Sequence, residues 1–212
     1  MDECLGRWPS EKARNWVEAF VLTARQDEAT EAVVLLGSMV RPVSQVEDAD
    51  IIHVFRRKKI LLAGRPLDVD LWSYSAAYVP ELIAGGNDIL GWAIKFGYLL
   101  CEKNRYWTSL REAWLTRLPF PSAKVALERA RRAGELREEL RRMGDADAAD
   151  EERLTELTHL ARARLLSREV YPASRPELPD QLRSIGESGL ARLLSGALRK
   201  RFEQGRTVLS HQ

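Results

Sequence analysis

Cysteine and histidine are scarce in this chain of 212 residues. The two cysteines, Cys4 and Cys101, are too few for a disulfide framework or a zinc site, and we expect free thiols of a cytosolic protein. The three histidines, His53, His159 and His211, include no pair with the spacing of metal ligands. The sequence therefore favours neither a disulfide-rich secreted domain nor a histidine metal centre.

Long apolar runs and a charge excess are missing as well. No stretch approaches the roughly 18 apolar residues of a transmembrane helix, and the N-terminus has no basic-then-apolar signal, so we expect a cytoplasmic protein without a membrane partner. The 33 basic and 31 acidic residues leave a net charge of +2, which gives no electrostatic support for a nucleic-acid partner. Arginines are dense after residue 129, but glutamates interleave with them at helical spacing, which predicts a salt-bridged solvent face.

The segment that begins at Gly37-Ser38 combines features that indicate phosphate and metal chemistry. Residues 32–36 are apolar throughout, which predicts a short strand buried on both faces, and Gly37-Ser38 ends it. Asp48 and Asp50 follow and flank one apolar residue. Alternate side chains of a strand point to the same face, so we expect the two carboxylates side by side, about 7 Å apart. A cation between them would relieve their repulsion.

A further acid is predicted on the next strand. Residues 65–72 alternate apolar and acidic side chains, which places Asp68 and Asp70 on one face of a half-buried strand. If the two strands are neighbours, three or four carboxylates converge, and that number of hard oxygen ligands suits Mg²⁺. The residues alone leave both Asp68 and Asp70 open as the third acid. A lone Asp-x-Asp is more often a solvated face, so the joint pattern is what favours a metal site.

The order Gly37-Ser38, Arg41, Asp48-x-Asp50 and Asp70 resembles the signature of the polymerase-beta-like nucleotidyltransferase superfamily, in its small bacterial branch with a helical C-terminal region. The resemblance is strongest over residues 33–72.

The family places its third acid directly before an apolar–aromatic pair, as Asp70 stands here, and the resemblance therefore favours Asp70 over Asp68. The chain departs from the family pattern at Pro42, where Gly is usual, and at Glu47, where Ser is usual. Neither departure removes a metal ligand.

The resemblance implies a Mg²⁺-dependent enzyme that transfers a nucleoside monophosphate, AMP by expectation, from ATP to an acceptor hydroxyl. The acceptor is a small molecule such as an aminoglycoside-like antibiotic, or a protein or RNA end. The catalytic acids, which also hold two Mg²⁺ ions, are then Asp48, Asp50 and Asp70, and the nucleotide-binding residues are Gly37, Ser38 and Arg41. The alternative is a non-catalytic interaction module of the toxin–antitoxin type on the same fold.

The expected fold class is α+β, with a small mixed-sheet catalytic domain over residues 1–75 and an all-α helical bundle over residues 76–212. Ser10 predicts the N-terminal cap of a helix that runs to about Gln26. Residues 60–62 are expected to pair back through Gly64 onto the strand of Asp70 as a hairpin.

The second half reads as helical from Ala76 onward. A break at residues 119–121 precedes a long helix that opens at Ser122, and this helix carries Leu136, Leu140 and Met143 at heptad-like spacing. Residues 144–150 are expected to form a loop before two last helices. In the first half, Trp72 shares a strand face with Asp70, whereas His53 lies on the face opposite the aspartates.

Overall fold

The computed structural model describes residues 8–41, 46 and 48–209. The predictions made for four residues, Cys4, Pro42, Glu47 and His211, lie outside the described residues. Among those that are described, no helix has both the length and the apolar character that crossing a membrane requires.

The sheet of the first half has four strands, β1 (Thr30–Leu36), β2 (Ala49–Phe55), β3 (Val69–Ser75) and β4 (Tyr98–Glu102). Their order is β3-β2-β1-β4. The central strand β1 is antiparallel to both β2 and β4, whereas β2 and β3 are parallel. The mixed sheet and the helices that follow it confirm the predicted α+β class.

Helix α1 (Glu11–Gln26) covers one face of the sheet. The side chain of Ser10 accepts a hydrogen bond from the amide of Ala13 at 3.0 Å, which satisfies one of the free amides at the helix start. The buried stripe consists of Ala13, Trp16, Val17, Phe20, Val21 and Ala24. It packs against Val33 and Leu35 of β1, so the predicted helix and its cap are confirmed.

Three helices form the second core with the opposite face of the sheet: α2 (Val79–Ala84), α3 (Asp88–Phe96) and α4 (Tyr106–Trp114). The alternate residues of β1, Ala32 and Val34 among them, belong to this core. All seven residues of β1 are buried, which confirms a strand covered on both faces.

The predicted hairpin at residues 60–62 is wrong. Strand β3 lies parallel to β2, and a parallel pair requires a crossover connection rather than a tight turn. Residues 56–68 form this connection without strand structure. Ile60 and Leu62 pack on the α1 side of the sheet, and the indole of Trp16 donates a hydrogen bond to the carbonyl of Ala63 at 3.2 Å. These contacts fix the connection to α1 instead of to β3.

The expectation of an all-helical region from Ala76 onward is also wrong, because β4 lies within it. Gly97 ends α3, and a β-carbon at Gly97 would lie 2.8 Å from Cγ1 of Val34. This close approach brings the next residues alongside β1, where Tyr98 pairs with Leu35. Pairing across the sheet, which local periodicity does not reveal, makes this segment a strand.

The chain divides into two compact units, Met1–Pro119 and Phe120–Gln212. This division lies later than residue 75, where the expected catalytic domain ends, because β4 pairs with β1 and α2 to α4 pack on the same sheet. It coincides with the break predicted at residues 119–121.

The regular structure of the second unit's described part is helical, with α5 (Ala123–Met143), α6 (Ala146–Leu166), α7 (Leu178–Ser184) and α8 (Ser188–Leu209). Its main core lies between α6, α7 and α8. The salt-bridged face predicted for α5 is confirmed, since Arg131 pairs with both Glu128 and Glu135.

Two details of the second unit depart from the sequence pattern. The buried face of α5 is Ala126, Ala130 and Ala133, whereas Leu136 and Met143 are 42% and 66% exposed. The expected loop over residues 144–150 is a short connection of two residues, because Gly144 ends α5 and Asp145 caps α6. The small residues of 146–149 that suggested a loop are compatible with a first helical turn once Asp145 accepts a hydrogen bond from the amide of Ala148.

Candidate active site

The three predicted acids meet at one end of the sheet. One carboxylate oxygen from each of Asp48, Asp50 and Asp70 can be chosen so that these atoms all lie within 4.8 Å of one another. Asp50 lies in β2 and Asp70 in β3, and the parallel register makes their Cα atoms direct partners. Asp48 precedes β2 by one residue. The convergence therefore depends on the parallel pairing of two strands that are separated by the crossover connection.

Asp68 does not belong to this cluster of described acids. It lies in the turn before β3, not in the strand, so the alternation that predicted a shared face with Asp70 does not reach it. Its backbone carbonyl accepts a hydrogen bond from the amide of Ala49 at 2.9 Å, which joins the start of β2 to the start of β3. Of the two acids that the sequence left open, the structure brings Asp70 to Asp48 and Asp50.

The three carboxylates differ in exposure. Asp48 and Asp50 are half-buried and Asp70 is exposed. Like charges at this separation repel one another unless a cation lies among them. Three carboxylates from three backbone positions supply the hard oxygen donors that Mg²⁺ or Ca²⁺ takes in proteins. The donor set therefore fits a divalent metal ion.

Gly37 lies against Asp50 in a position that a larger residue would not fit. It has a left-handed backbone, with φ of +76°, and begins a short 3₁₀ turn, Gly37–Val40. A β-carbon at Gly37 would collide with Oδ2 of Asp50 and lie 3.0 Å from its Cγ. Only glycine satisfies both the backbone angle and this close approach. The turn after β1 is thus seated directly on a carboxylate of the triad.

The other two predicted nucleotide-binding residues follow in the same turn. Ser38 is half-buried, and its carbonyl accepts a hydrogen bond from the amide of Arg41 at 3.2 Å. The guanidinium carbon of Arg41 lies 4.6 Å from the ring centroid of Phe96, the last residue of α3. The structure therefore connects the turn to α3 through a cation–π contact.

Phe96 is a residue of this region that sequence reasoning missed. Its helical spacing with Ile89, Trp92 and Ala93 assigned it to the apolar stripe of α3. It is half-buried, and Nζ of Lys95 also lies 5.7 Å from its ring centroid. The sequence signal that could have identified Phe96 was its position between Lys95 and the helix-ending Gly97.

Aromatic side chains extend the site along β3. Trp72 and Tyr74 follow Asp70 at alternate positions and are half-buried against the second core. Burial raises the pKa of Tyr74, and the carboxylate of Asp88 raises it further. Asp88 is the first residue of α3. Its carboxylate therefore lies near the phenol of Tyr74, which is on the same face of β3 as Asp70.

Comparison with known proteins finds a similarity in structure but no match to a family model or a curated protein. Among solved structures the chain is similar to a nucleotidyltransferase-like protein from Exiguobacterium sibiricum 255-15, with 16% sequence identity and a TM-score of 0.36 over 92% of this chain and 77% of that one. A superposition this loose assigns neither a fold nor an activity by itself.

Proposed function

We propose that the protein is a Mg²⁺-dependent nucleotidyltransferase that transfers AMP from ATP to a hydroxyl of an acceptor. The observation that carries this proposal is the convergence of Asp48, Asp50 and Asp70 beside a glycine turn that is seated on Asp50. A carboxylate triad serves metal-assisted phosphoryl chemistry, and a left-handed glycine lets backbone approach phosphate oxygens closely.

The metal roles are those that the resemblance to the nucleotidyltransferase superfamily implies. Asp48 and Asp50, both half-buried, would hold the ion that accompanies the triphosphate, and Asp50 with the exposed Asp70 would hold a second ion on the acceptor side. Bound Mg²⁺ would neutralise phosphate charge and lower the pKa of the acceptor hydroxyl. The shared ligand Asp50 is the one that Gly37 contacts, so metal and phosphate sites would be adjacent.

The residues of the turn would hold the rest of the nucleotide. The backbone at Gly37 and the hydroxyl of Ser38 would donate to the β- and γ-phosphates, and the planar fork of Arg41 suits phosphate oxygens. The acceptor hydroxyl gives up its proton to solvent and its oxygen bonds to the α-phosphorus, while the bond from that phosphorus to the bridging oxygen breaks, so pyrophosphate leaves. The side chains of this chain orient the reactants and compensate their charge.

The acceptor that we place first is a small cationic sugar of the aminoglycoside type. Beyond Asp70, the same face of β3 offers Trp72 and Tyr74, and Asp88 lies near Tyr74. Aromatic faces suit sugar rings, and a carboxylate suits an ammonium group. We expect Asp88→Asn to reduce transfer to a cationic acceptor about tenfold relative to a neutral one, which corresponds to the loss of one charged contact. Glu112→Gln, which removes a carboxylate of α4 paired with Arg105 at 2.9 Å, is the matched control.

The test of the activity is a screen of the purified chain with Mg²⁺ and labelled nucleoside triphosphates against cationic sugars, neutral sugars, RNA ends and proteins. Pyrophosphate release that depends on an acceptor and is lost in Asp50→Asn supports the proposal. If the protein binds no nucleotide and releases no pyrophosphate with any acceptor, the proposal is contradicted and an interaction module is favoured.

A further inference from the structure

A cavity of about 290 Å³ lies in the second unit between α6 and α8. Seven of the side chains that line it are charged, five of them cationic and two acidic. Both acids already have partners from α8, since Asp150 pairs with Lys200 and Glu151 with Arg201. The cavity therefore keeps a surplus of positive charge. The cations that supply this surplus are Arg153, Arg192 and Arg199.

These three arginines are exposed, and their side chains have no hydrogen-bond or ion-pair partner among the residues that the structure describes. Elsewhere in the second unit, exposed arginines lie beside acids, as Arg131 and Arg183 do. Like charges that line one cavity repel one another, so the grouping is unfavourable unless an anion binds among them. The charge distribution therefore indicates an anion site.

Helix α8 leaves open space at the centre of its basic face. Arg192, Gly196 and Arg199 are four and three residues apart, which places them on one face of the helix. A β-carbon at Gly196 would meet no side chain or neighbouring element within 4 Å. Glycine weakens a helix interior relative to alanine, and no packing contact requires it here. Leu154 and Leu193 add an apolar wall to the same cavity.

The helix dipole does not explain the arginines. It stabilises cations only within the last turn of a helix. Arg199 lies well before the end of α8 at Leu209, and Arg153 lies in the first half of α6. A salt-bridged solvent face does not explain them either, since the two acids of the lining already pair with Lys200 and Arg201. A bound anion accounts for all three.

We propose that this cavity binds a small phosphate monoester, with Arg153, Arg192 and Arg199 on the phosphate and the leucine wall against the organic body. A phosphate monoester has nearly two negative charges and three terminal oxygens, which suit several guanidinium forks. A volume of about 290 Å³ is close to the roughly 300 Å³ at which small-molecule pockets begin, so it fits a small organic phosphate. All of these residues lie in the second unit, so the inference does not rest on the proposed transferase function.

The experiment is titration calorimetry of the full chain with ribose 5-phosphate in a buffer free of divalent metal and of phosphate. We expect saturable binding, weaker binding of inorganic phosphate and no binding of ribose. Arg192→Gln and Arg199→Gln should each raise the Kd about tenfold, since each removes a charge-assisted donor. The matched control is Arg168→Gln, which removes an exposed arginine that lies outside the lining and should not change the Kd.

A second pair of variants tests the cavity while retaining every cation. Gly196→Leu fills the open space between Arg192 and Arg199 and should raise the Kd more than tenfold. Gly189→Leu is its matched control, because Gly189 lies in the same helix, also has open space around its would-be β-carbon and is not part of the lining. Both replacements improve helix propensity, so neither should lower the Tm.

Each outcome decides the assignment. Loss of affinity in the two arginine variants and in Gly196→Leu, with both controls unchanged, supports it. No saturable binding of ribose 5-phosphate up to about 10 mM overturns it, as does binding that Gly196→Leu leaves unchanged. Equal affinity for inorganic phosphate overturns the role of the organic body. Binding of an RNA oligonucleotide without binding of ribose 5-phosphate overturns the monoester and favours a nucleic-acid backbone. The probes include no triphosphate and no metal, so these results are independent of the transferase screen.

Discussion

At the scale of one residue, the left-handed backbone of Gly37 lets the turn after β1 lie directly against Asp50. Gly37→Ala would place a methyl group against Asp50 and force alanine into a left-handed conformation, which costs about 1–2 kcal/mol. We expect loss of stability and loss of Mg²⁺-nucleotide binding. Gly64→Ala is the matched control, because Gly64 has a φ of +68° but no atom within 4 Å of its would-be β-carbon. It should lose only the stability that the left-handed conformation costs, measured with denaturant, and its nucleotide binding should be unchanged. Equal binding in the two variants would contradict the role assigned to Gly37.

His53 is the residue from which a pH dependence follows. It is fully buried on the α1 side of the sheet, where Nε2 lies 3.1 Å from the hydroxyl of Thr30. Burial lowers its pKa from 6.5 to about 4, although the carboxylate of Asp27 opposes the shift. Between these values the unfolded chain binds more protons than the folded one, so stability must fall as pH falls.

We expect His53 to reduce the free energy of unfolding by about 2 kcal/mol between pH 7 and pH 5. Asp27 does not act in this window: burial acts to raise its pKa, but hydrogen bonds from Thr30 and Ala29 leave it below the ordinary 3.8, and its contribution is lost only at lower pH. Denaturant titrations of the natural chain and of His53→Gln at both pH values measure the difference. A slope that persists unchanged in His53→Gln would assign the dependence to other groups.

The register of β2 and β3 is the decisive feature at the scale of the elements. Asp50 and Asp70 are direct partners in that register, whereas Asp68 lies in the turn before β3. We therefore expect Asp70→Asn to lower transfer by about 100-fold or more while triphosphate binding persists, since it would remove a ligand on the acceptor side only. Asp68→Asn should cost less than about threefold. Steady-state rates and nucleotide Kd values for the two variants check this ranking, and the reverse ranking would contradict the metal roles.

Ligand binding should be visible at the scale of the whole molecule. All six tryptophans, the last of which is Trp114, lie in the first unit, so their fluorescence reports on the unit that contains the acids. Mg²⁺ and ATP together, at about 100 times the Kd, should raise the fluorescence-detected Tm by roughly 5–10 °C. Either alone should raise it much less, because nucleotide and metal each compensate the other's charge.

The Asp48→Asn/Asp50→Asn variant should lose this thermal shift. Glu135→Gln/Glu138→Gln, which removes the same number of carboxylates from α5 in the second unit, should retain it. An equal shift in the two double variants would mean that the stabilisation does not come from the triad.

The local sequence determined much of this protein, because several elements depend on nearest neighbours. The periodic apolar residues of α1 and the cap at Ser10 define that helix without help from the rest of the chain. The apolar run of β1, the glycine that ends it, and the spacing to Asp48 and Asp50 were sufficient to predict a buried strand followed by an acidic site.

Tertiary structure decided what depends on residues far apart in the chain. Local pattern cannot distinguish a hairpin from a crossover, so the parallel pairing of β2 and β3 required the fold. The resemblance already favoured Asp70 over Asp68, and this pairing gives the physical reason, because it places Asp70 beside Asp50. The strand at β4 exists because Gly97 can approach Val34 and the following residues then pair with β1. Phe96 has the spacing of a core residue, and only the position of Arg41 beside its ring connects it to the site. The spacing of apolar residues shows which side of a helix or strand is apolar. Which other element packs against that side depends on residues far apart in the chain.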